Sequence, residues 1–228
     1  MTILLAIPSK GRLMAATESL LNQAGLKVSR AGEDRGYRGR LEGLDGVDLV
    51  FVSATEIARS LADGSIDCGI TGEDVLREAV PPENGSVAIL ARLPFGNADV
   101  VVAVPRAWLD LATMADLDEV SVGFYEKHGR RLRVATKYKH LTRRFFADKG
   151  VTGSRIVESL GATEGAPAAG TAEVIVDITT TGSTLAANHL KILDDGTILK
   201  SQAVLAARAS CLDDPDVAAL RSKLNKNL

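Results

Sequence analysis

Short aliphatic runs recur along this chain, each followed by a segment of helical periodicity, and that alternation constrains the fold more than any other feature. "TILLAIPSK" leads into the helical "GRLMAATESLLNQAG", closed by Gly25; strand "VDLVFVS" leads into helix "ATEIARSLADG", and strand "IDCGIT" into helix "GEDVLREAV". Runs apolar on both faces and joined by helices build parallel sheets covered on both sides. Between the first helix and the second strand, "RAGEDRGYRGRLEGLDG" reads as a polar, glycine-rich connection. After Pro81-Pro82 come strands "SVAILARL" and "ADVVVAVP", and then the pattern restarts. A helix near Met114, strand "RLRVAT", helix "HLTRRFFADKG", strand "RIVESL", helix "EGAPAAG" and strand "VIVDIT" form a second set. Two α/β lobes are expected, residues 1–95 completed by 186–228, and residues 96–185, with the crossover near 94–98. The tail, with helix "STLAANHL", polar "KILDDGTILK", apolar "AVLAARA" and helix "PDVAALRSKLNKNL", is what returns to the first lobe.

Length and charge narrow the function. At 228 residues the chain can bury one large core or two small ones. A formal charge of −2 argues against sequence-independent nucleic-acid binding. The two cysteines, Cys68 and Cys211, fit neither a disulfide framework nor a zinc motif. "MTILLAIPSKGRL" lacks a basic leader and a cleavage site, and no run approaches membrane-spanning length, so a cytoplasmic protein without membrane association is expected.

The chemistry concentrates in "VIVDITTTGSTL", Val174 to Leu185. A buried strand ends in Asp177, and beyond it Thr179, Thr180, Thr181, Ser183 and Thr184 offer hydroxyls around Gly182. Glycine at that point permits a positive φ, which lets successive N–H groups converge on an anion. A Thr-rich helix cap is the plainer alternative. The carboxylate favours the functional reading, because beside a bound phosphate it needs hydroxyls to accept from, and a ribose supplies two. Asp177 on the ribose and Thr180–Thr184 on its 5′-phosphate would grip a sugar phosphate at both ends.

"DITTTGST" resembles the phosphoribosyl-pyrophosphate loop of phosphoribosyltransferases, and the longer "EGAPAAGTAEVIVDITTTGSTL" is similar to the signature of the ATP phosphoribosyltransferase family. "IPSKGRL", "DCGITGED" and "RVATKYKHLTRRFF" resemble three further segments of that family in the same order, so the resemblance covers nearly the whole chain. It implies a two-lobed, periplasmic-binding-protein-like α/β fold, with a mainly parallel sheet in each lobe and the active site in the cleft. It also implies the first step of histidine biosynthesis: adenine N1 of ATP joins C1 of phosphoribosyl pyrophosphate, and pyrophosphate leaves. Mg²⁺ is the implied cofactor, held mainly by substrate phosphates rather than by a protein cage.

Residue by residue, the resemblance implies that Lys10, Arg12, Arg133 and Lys137 act on the polyphosphates. Substrate binding falls to Asp177, Thr179–Thr184, Gly11, Asp67, Gly72, Glu73, Asp74 and Glu164. Each has a plainer alternative: Lys10 and Arg12 as solvated turn charges, Glu73 and Asp74 as helix-terminal acids, and Glu173 as a solvated residue. Tyr138 packs either on an adenine ring or on its own helix. The chain departs from the family where an arginine is common late in "VDLVFVS" and Ser53 stands instead; Arg35, Arg38 or Arg40 are the candidate replacements. Lys139 stands where proline is common. The length resembles the short form, which the family pairs, around a homodimeric core, with a regulatory subunit similar to histidyl-tRNA synthetase. The rivals are a solute-binding protein of similar fold and a phosphoribosyltransferase for another base.

Overall fold

The computed structural model describes residues 2–30 and 37–226, which form two compact units. The first comprises Met1–Asn97 with Gln202–Leu228, the second Ala98–Ser201.

The first unit is built on strands β1 (Ile3–Pro8), β2 (Lys27–Arg30), β3 (Arg38–Glu42), β4 (Val47–Val52), β5 (Cys68–Gly72), β6 (Val87–Arg92) and β12 (Ala203–Arg208), in the order β2-β3-β4-β1-β5-β12-β6. Helices α1 (Gly11–Gln23), α2 (Ala54–Asp63), α3 (Glu73–Ala79) and α7 (Pro215–Asn225) cover it. Helix boundaries follow local chemistry. Ser53 caps α2 by accepting a hydrogen bond from the Glu56 N–H, and Gly64, in the left-handed region, ends it. Leu5, Ile7, Leu21, Leu26, Leu49 and Phe51 are fully buried on one face of the sheet, while Ile57, Leu61 and Ala206 pack on the other.

The second unit carries β7 (Ala98–Pro105), β8 (Leu132–Thr136), β9 (Ser154–Glu158), β10 (Val174–Thr179) and β11 (Leu190–Ser201), in the order β11-β7-β10-β8-β9. Its helices are α4 (Met114–His128), α5 (Lys139–Asp148) and the short α6 (Ser183–Ala187). Helix α4 starts at a reciprocal box in which Thr113 and Asp116 satisfy each other's backbone N–H groups.

Several expectations are corrected. Parallel pairing is confined to β4-β1-β5 and to β10-β8-β9; the other neighbours run antiparallel. The polar connection from Arg30 to Gly46 contains β3, which pairs antiparallel with β2, the strand just before it. The alternation of β3 was hidden by charge, since Arg38, Arg40 and Glu42 face solvent while Gly39 and Leu41 face inward. "KILDDGTILK" is likewise strand β11, whose register shifts between Ile192 and Thr197 conceal a simple period. It stays paired with β7, so the chain returns to the first unit at Gln202 rather than at residue 186. "EGAPAAG" forms a single 3₁₀ turn at Thr163–Gly165 instead of an α-helix, and α6 stops at Ala187.

Gly39 packs against both neighbours of β3: an added Cβ would meet the Ser29 carbonyl oxygen and lie 2.9 Å from the Phe51 ring. Gly39→Val is expected to destabilise the first unit by about 2–3 kcal/mol, read from urea unfolding followed by far-UV circular dichroism.

Candidate active site

Parallel strands deliver their loops to one edge, and in open α/β sheets that carboxyl edge is where ligands bind. In the second unit the register Val176↔Thr136↔Glu158 sets three loops side by side. Lys137 follows β8, Ser159–Glu164 follows β9, and Thr180–Thr184 follows β10. Asp177 lies one residue beyond the paired Val176, level with Lys137.

Each loop is held by its own side chains. Thr136, fully buried, accepts a hydrogen bond from the Tyr138 N–H at 2.9 Å, and the tight turn leaves Lys137 exposed. The Ser159 N–H donates to the Thr136 carbonyl at 3.0 Å, tying the end of β9 to that of β8. Gly182 adopts φ +73°, and its N–H donates to the Thr179 hydroxyl at 2.8 Å. The Thr181 and Ser183 hydroxyls are 2.9 Å apart, and Thr180, Thr181, Ser183 and Thr184 are exposed. Gly182 is required by its conformation rather than by crowding, since an added Cβ would meet only Ile192, at 3.9 Å.

Asp177 is partly buried in β10, two residues before its end and paired with Val101 of β7, and its Oδ1 accepts from the Ile178 N–H at 2.8 Å. Burial pushes its carboxyl above the usual range, the Ile178 N–H and Lys137 oppose that rise, and the charge of Glu164 adds to it. Lys137, Glu164, Asp177, Thr179, Thr180, Thr181, Gly182, Ser183 and Thr184 therefore share one edge of one unit.

Arg133 does not join them. It stands at the opposite end of β8, where its guanidinium donates to Glu173 (2.7 Å) and to the Gly170 carbonyl (2.7 Å), with Arg130 on the same carboxylate at 2.9 Å. Glu173, read from sequence as solvated, is the hub of this cluster. Burial pushes its carboxyl upward, but the hydrogen bonds from Arg133 and Arg130 outweigh burial and hold it at about 2. Tyr138 is 1% exposed inside the core of the second unit, which removes it as an adenine platform and favours packing beneath its own helix. Lys139, in place of the family's proline, pairs with Glu158 at 2.8 Å.

In the first unit Lys10 and Arg12 are exposed after β1, flanking Gly11 at φ +79°, and Gly72, Glu73 and Asp74 follow β5 at the same edge of the sheet. Glu73 is 2% exposed and accepts from Arg77 and Arg92, each at 2.8 Å, so the fold already uses it. Asp74 is buried over Gly72, whose missing Cβ makes room for its carboxylate. Asp67 sits at the other end of β5; it accepts from the Leu4 N–H at 2.9 Å and pairs with Arg208, binding β1, β5 and β12 together. Of the candidates to replace an arginine at Ser53, Arg38 and Arg40 are exposed on β3, and Arg35 lies outside the described residues.

Sequence reasoning passed over Ser159 and Thr163, whose hydroxyls are 2.9 Å apart and brace the loop after β9. The available signal was Ser-Leu-Gly directly after a β-branched run, a pattern of strand end and turn.

A two-unit α/β protein with a hydroxyl-rich, glycine-ordered turn and two acids at a parallel-sheet edge falls in the class of α/β proteins whose chemistry is gathered at that edge. Comparison with known proteins narrows this. The ATP phosphoribosyltransferase family profile matches residues 53–226, and the chain belongs to that family. It is 58% identical over 225 residues to the ATP phosphoribosyltransferase of Mesorhizobium japonicum, covering 98% of this chain and 97% of that one. It is 61% identical over 206 residues to that of Chelativorans sp., covering 90% of each. Among solved structures, the ATP phosphoribosyl transferase (HisG:HisZ) complex from Thermotoga maritima superposes with a TM-score of 0.74 at 26% identity, covering 99% of this chain and 98% of that one. The alkanesulfonate-binding protein SsuA from Xanthomonas axonopodis pv. citri shares the fold alone, with a TM-score of 0.55 at 16% identity over 99% of this chain and 72% of that one. The solute-binding fold expected from the resemblance is thus present, in a chain of the transferase family.

The Glu173 cluster yields a pH prediction. Because its folded-state value lies below the ordinary one of 4.5, its stabilisation is fully present above pH 4.5 and is lost as pH falls toward 2. Glu173→Gln should cost about 1–3 kcal/mol at pH 7, a range reduced for the exposure of Arg130. It should also flatten the stability profile between pH 4.5 and 2, followed by chemical unfolding at each pH.

Proposed function

We propose that the carboxyl edge of the second unit binds phosphoribosyl pyrophosphate, and that the chain passes its phosphoribosyl group to N1 of ATP, releasing pyrophosphate, as the first step of histidine biosynthesis. The observation that carries this reading is the placement of Asp177, a partly buried carboxylate beside Glu164, Lys137 and an exposed hydroxyl turn. A carboxylate kept at such cost fits a ligand that donates hydrogen bonds to it, and the ribose 2′ and 3′ hydroxyls do so.

Under this reading Asp177 and Glu164 accept from the ribose, while Thr180, Thr181, Ser183 and Thr184, ordered by Gly182 and Thr179, hold the 5′-phosphate. Adenine N1 carries a free lone pair at neutral pH, so attack on C1 needs no general base. Charge on the leaving group is the larger obstacle, and Lys137 is the cation of this unit placed to neutralise it. In the first unit, Lys10 and Arg12 are assigned to polyphosphate. Arg133, engaged by Glu173, is not.

Enzymes of this family need a divalent metal, and we assign Mg²⁺. Among the described residues there is no group of three acidic, histidine or cysteine side chains that could cage an ion. We assign that ion to the substrate's phosphates rather than to a protein cage. When bound it offsets pyrophosphate charge as the C1–O bond breaks. Among the described residues no helix is long and apolar enough to cross a membrane, and we place the chain in the cytoplasm. The Thermotoga relative assembles with HisZ, which supports a hetero-oligomer of a homodimeric catalytic core and a regulatory subunit similar to histidyl-tRNA synthetase.

Incubated with ATP, phosphoribosyl pyrophosphate, Mg²⁺ and a pyrophosphatase, the purified chain is expected to give phosphoribosyl-ATP by mass spectrometry. Failure to bind either substrate would overturn the assignment. Asp177→Asn should lower kcat/KM by roughly 10²-fold, through loss of charge-assisted hydrogen bonds. The same variant should melt no lower than the wild type at pH 7. Asp177's raised folded-state value makes its protonated form the one the fold favours, so the ionised form is a burden that grows as pH rises through that value. Unchanged kcat/KM, or a clear loss of stability, would count against this role.

A further inference from the structure

We infer that Leu160 is an apolar contact for the adenine base of the incoming ATP, held over the reacting end of the phosphoribosyl site; this rests on the proposed function above. Five large hydrophobic side chains of the second unit are exposed: Leu109, Val120, Val122, Tyr125 and Leu160. Leu109 follows the antiparallel β7, and the next three lie on α4, which enters β8 from its amino end. Only Leu160, 83% exposed, follows a strand of the parallel segment and so belongs to the edge that carries Asp177 and Lys137.

Single exposed leucines are ordinary, so placement alone would not distinguish this one. Its backbone does. Ser159 on one side is tied to β8 through the Thr136 carbonyl, and its hydroxyl lies 2.9 Å from that of Thr163. The Thr163 hydroxyl is also 2.9 Å from the Gly161 carbonyl, to which it donates, and Thr163 is 3% exposed. The turn is thus closed on both sides of Leu160 by buried or half-buried polar groups. An isobutyl group is displayed from a braced turn, four residues before Glu164, where a flexible polar loop would have been easier to solvate.

The chemistry at this edge asks for an apolar surface. Asp177, Glu164, Lys137 and the Thr-Ser turn provide charge and hydroxyls for a sugar phosphate, yet none offers a face for a purine. Tyr138, the neighbouring aromatic, is buried in the core. Packing on an aliphatic side chain would order the ring without competing for the N1 lone pair that forms the new bond.

Steady-state kinetics of Leu160→Ala and Leu160→Phe, with ATP and phosphoribosyl pyrophosphate varied separately, test this. Leu160→Ala should raise KM for ATP roughly tenfold, as expected for loss of an apolar contact in a binding site, and leave KM for phosphoribosyl pyrophosphate within about twofold. Leu160→Phe should restore the ATP value. Thermal unfolding should be unchanged in both variants, since the side chain makes little contact with the fold. An unchanged KM for ATP, or equal losses for both substrates, would overturn the role of Leu160 while leaving the proposed function standing. A wild-type chain that makes no phosphoribosyl-ATP would overturn both.

Discussion

The parallel register of β10 on β8 is the constraint from which the site follows. Pairing Val174 with Val134 and Val176 with Thr136 puts Asp177 and Lys137 at one end of this strand pair, and Glu173 and Arg133 at the other. The two acidic residues of β10 and its preceding turn therefore meet different fates, four positions apart. Glu173 receives two guanidinium groups and becomes an anchor that stays ionised at neutral and mildly acidic pH. Asp177 receives a single backbone N–H and the charge of Lys137 without a hydrogen bond from it, and its own charge stays costly. One end of the strand is closed by ion pairs, and the other keeps a carboxylate whose charge the fold does little to offset.

The same division holds in the first unit. Asp67 and Glu73, at opposite ends of β5, are both committed to arginines of neighbouring strands or helices. Lys10 and Arg12 are left exposed after β1, beside a glycine whose positive φ turns the chain. Acidic residues in glycine-rich turns are ambiguous for this reason: whether they bind a substrate or an arginine depends on a partner distant in the chain, here Arg92 or Arg208.

What sequence revealed followed from local physics. The βα alternation, the helix stop at Gly25 and the hydroxyl turn around Gly182 are short-range features, and the residues themselves display them. The pairing of Arg133 with Glu173 was not legible, because register decides which end of a strand a residue occupies, and register is set across the sheet. The strands β2, β3 and β11 were obscured by exposed charges and by bulges, since a strand wet on one face or irregular in register loses its period. Ser159 and Thr163 escaped attention because their importance lies in facing each other across a turn.

The first sheet has a consequence for how the chain becomes a protein. Strand β12, which separates β5 from β6, arrives from beyond residue 202, after the whole of the second unit. During synthesis the N-terminal portion emerges with two strand edges exposed and an empty place between them. The second unit, continuous from Ala98 to Ser201, has every strand of its own sheet once Ser201 is made. Order of synthesis and order of completion are therefore reversed: the later segment can close its core first, while the earlier one waits for the end of the chain.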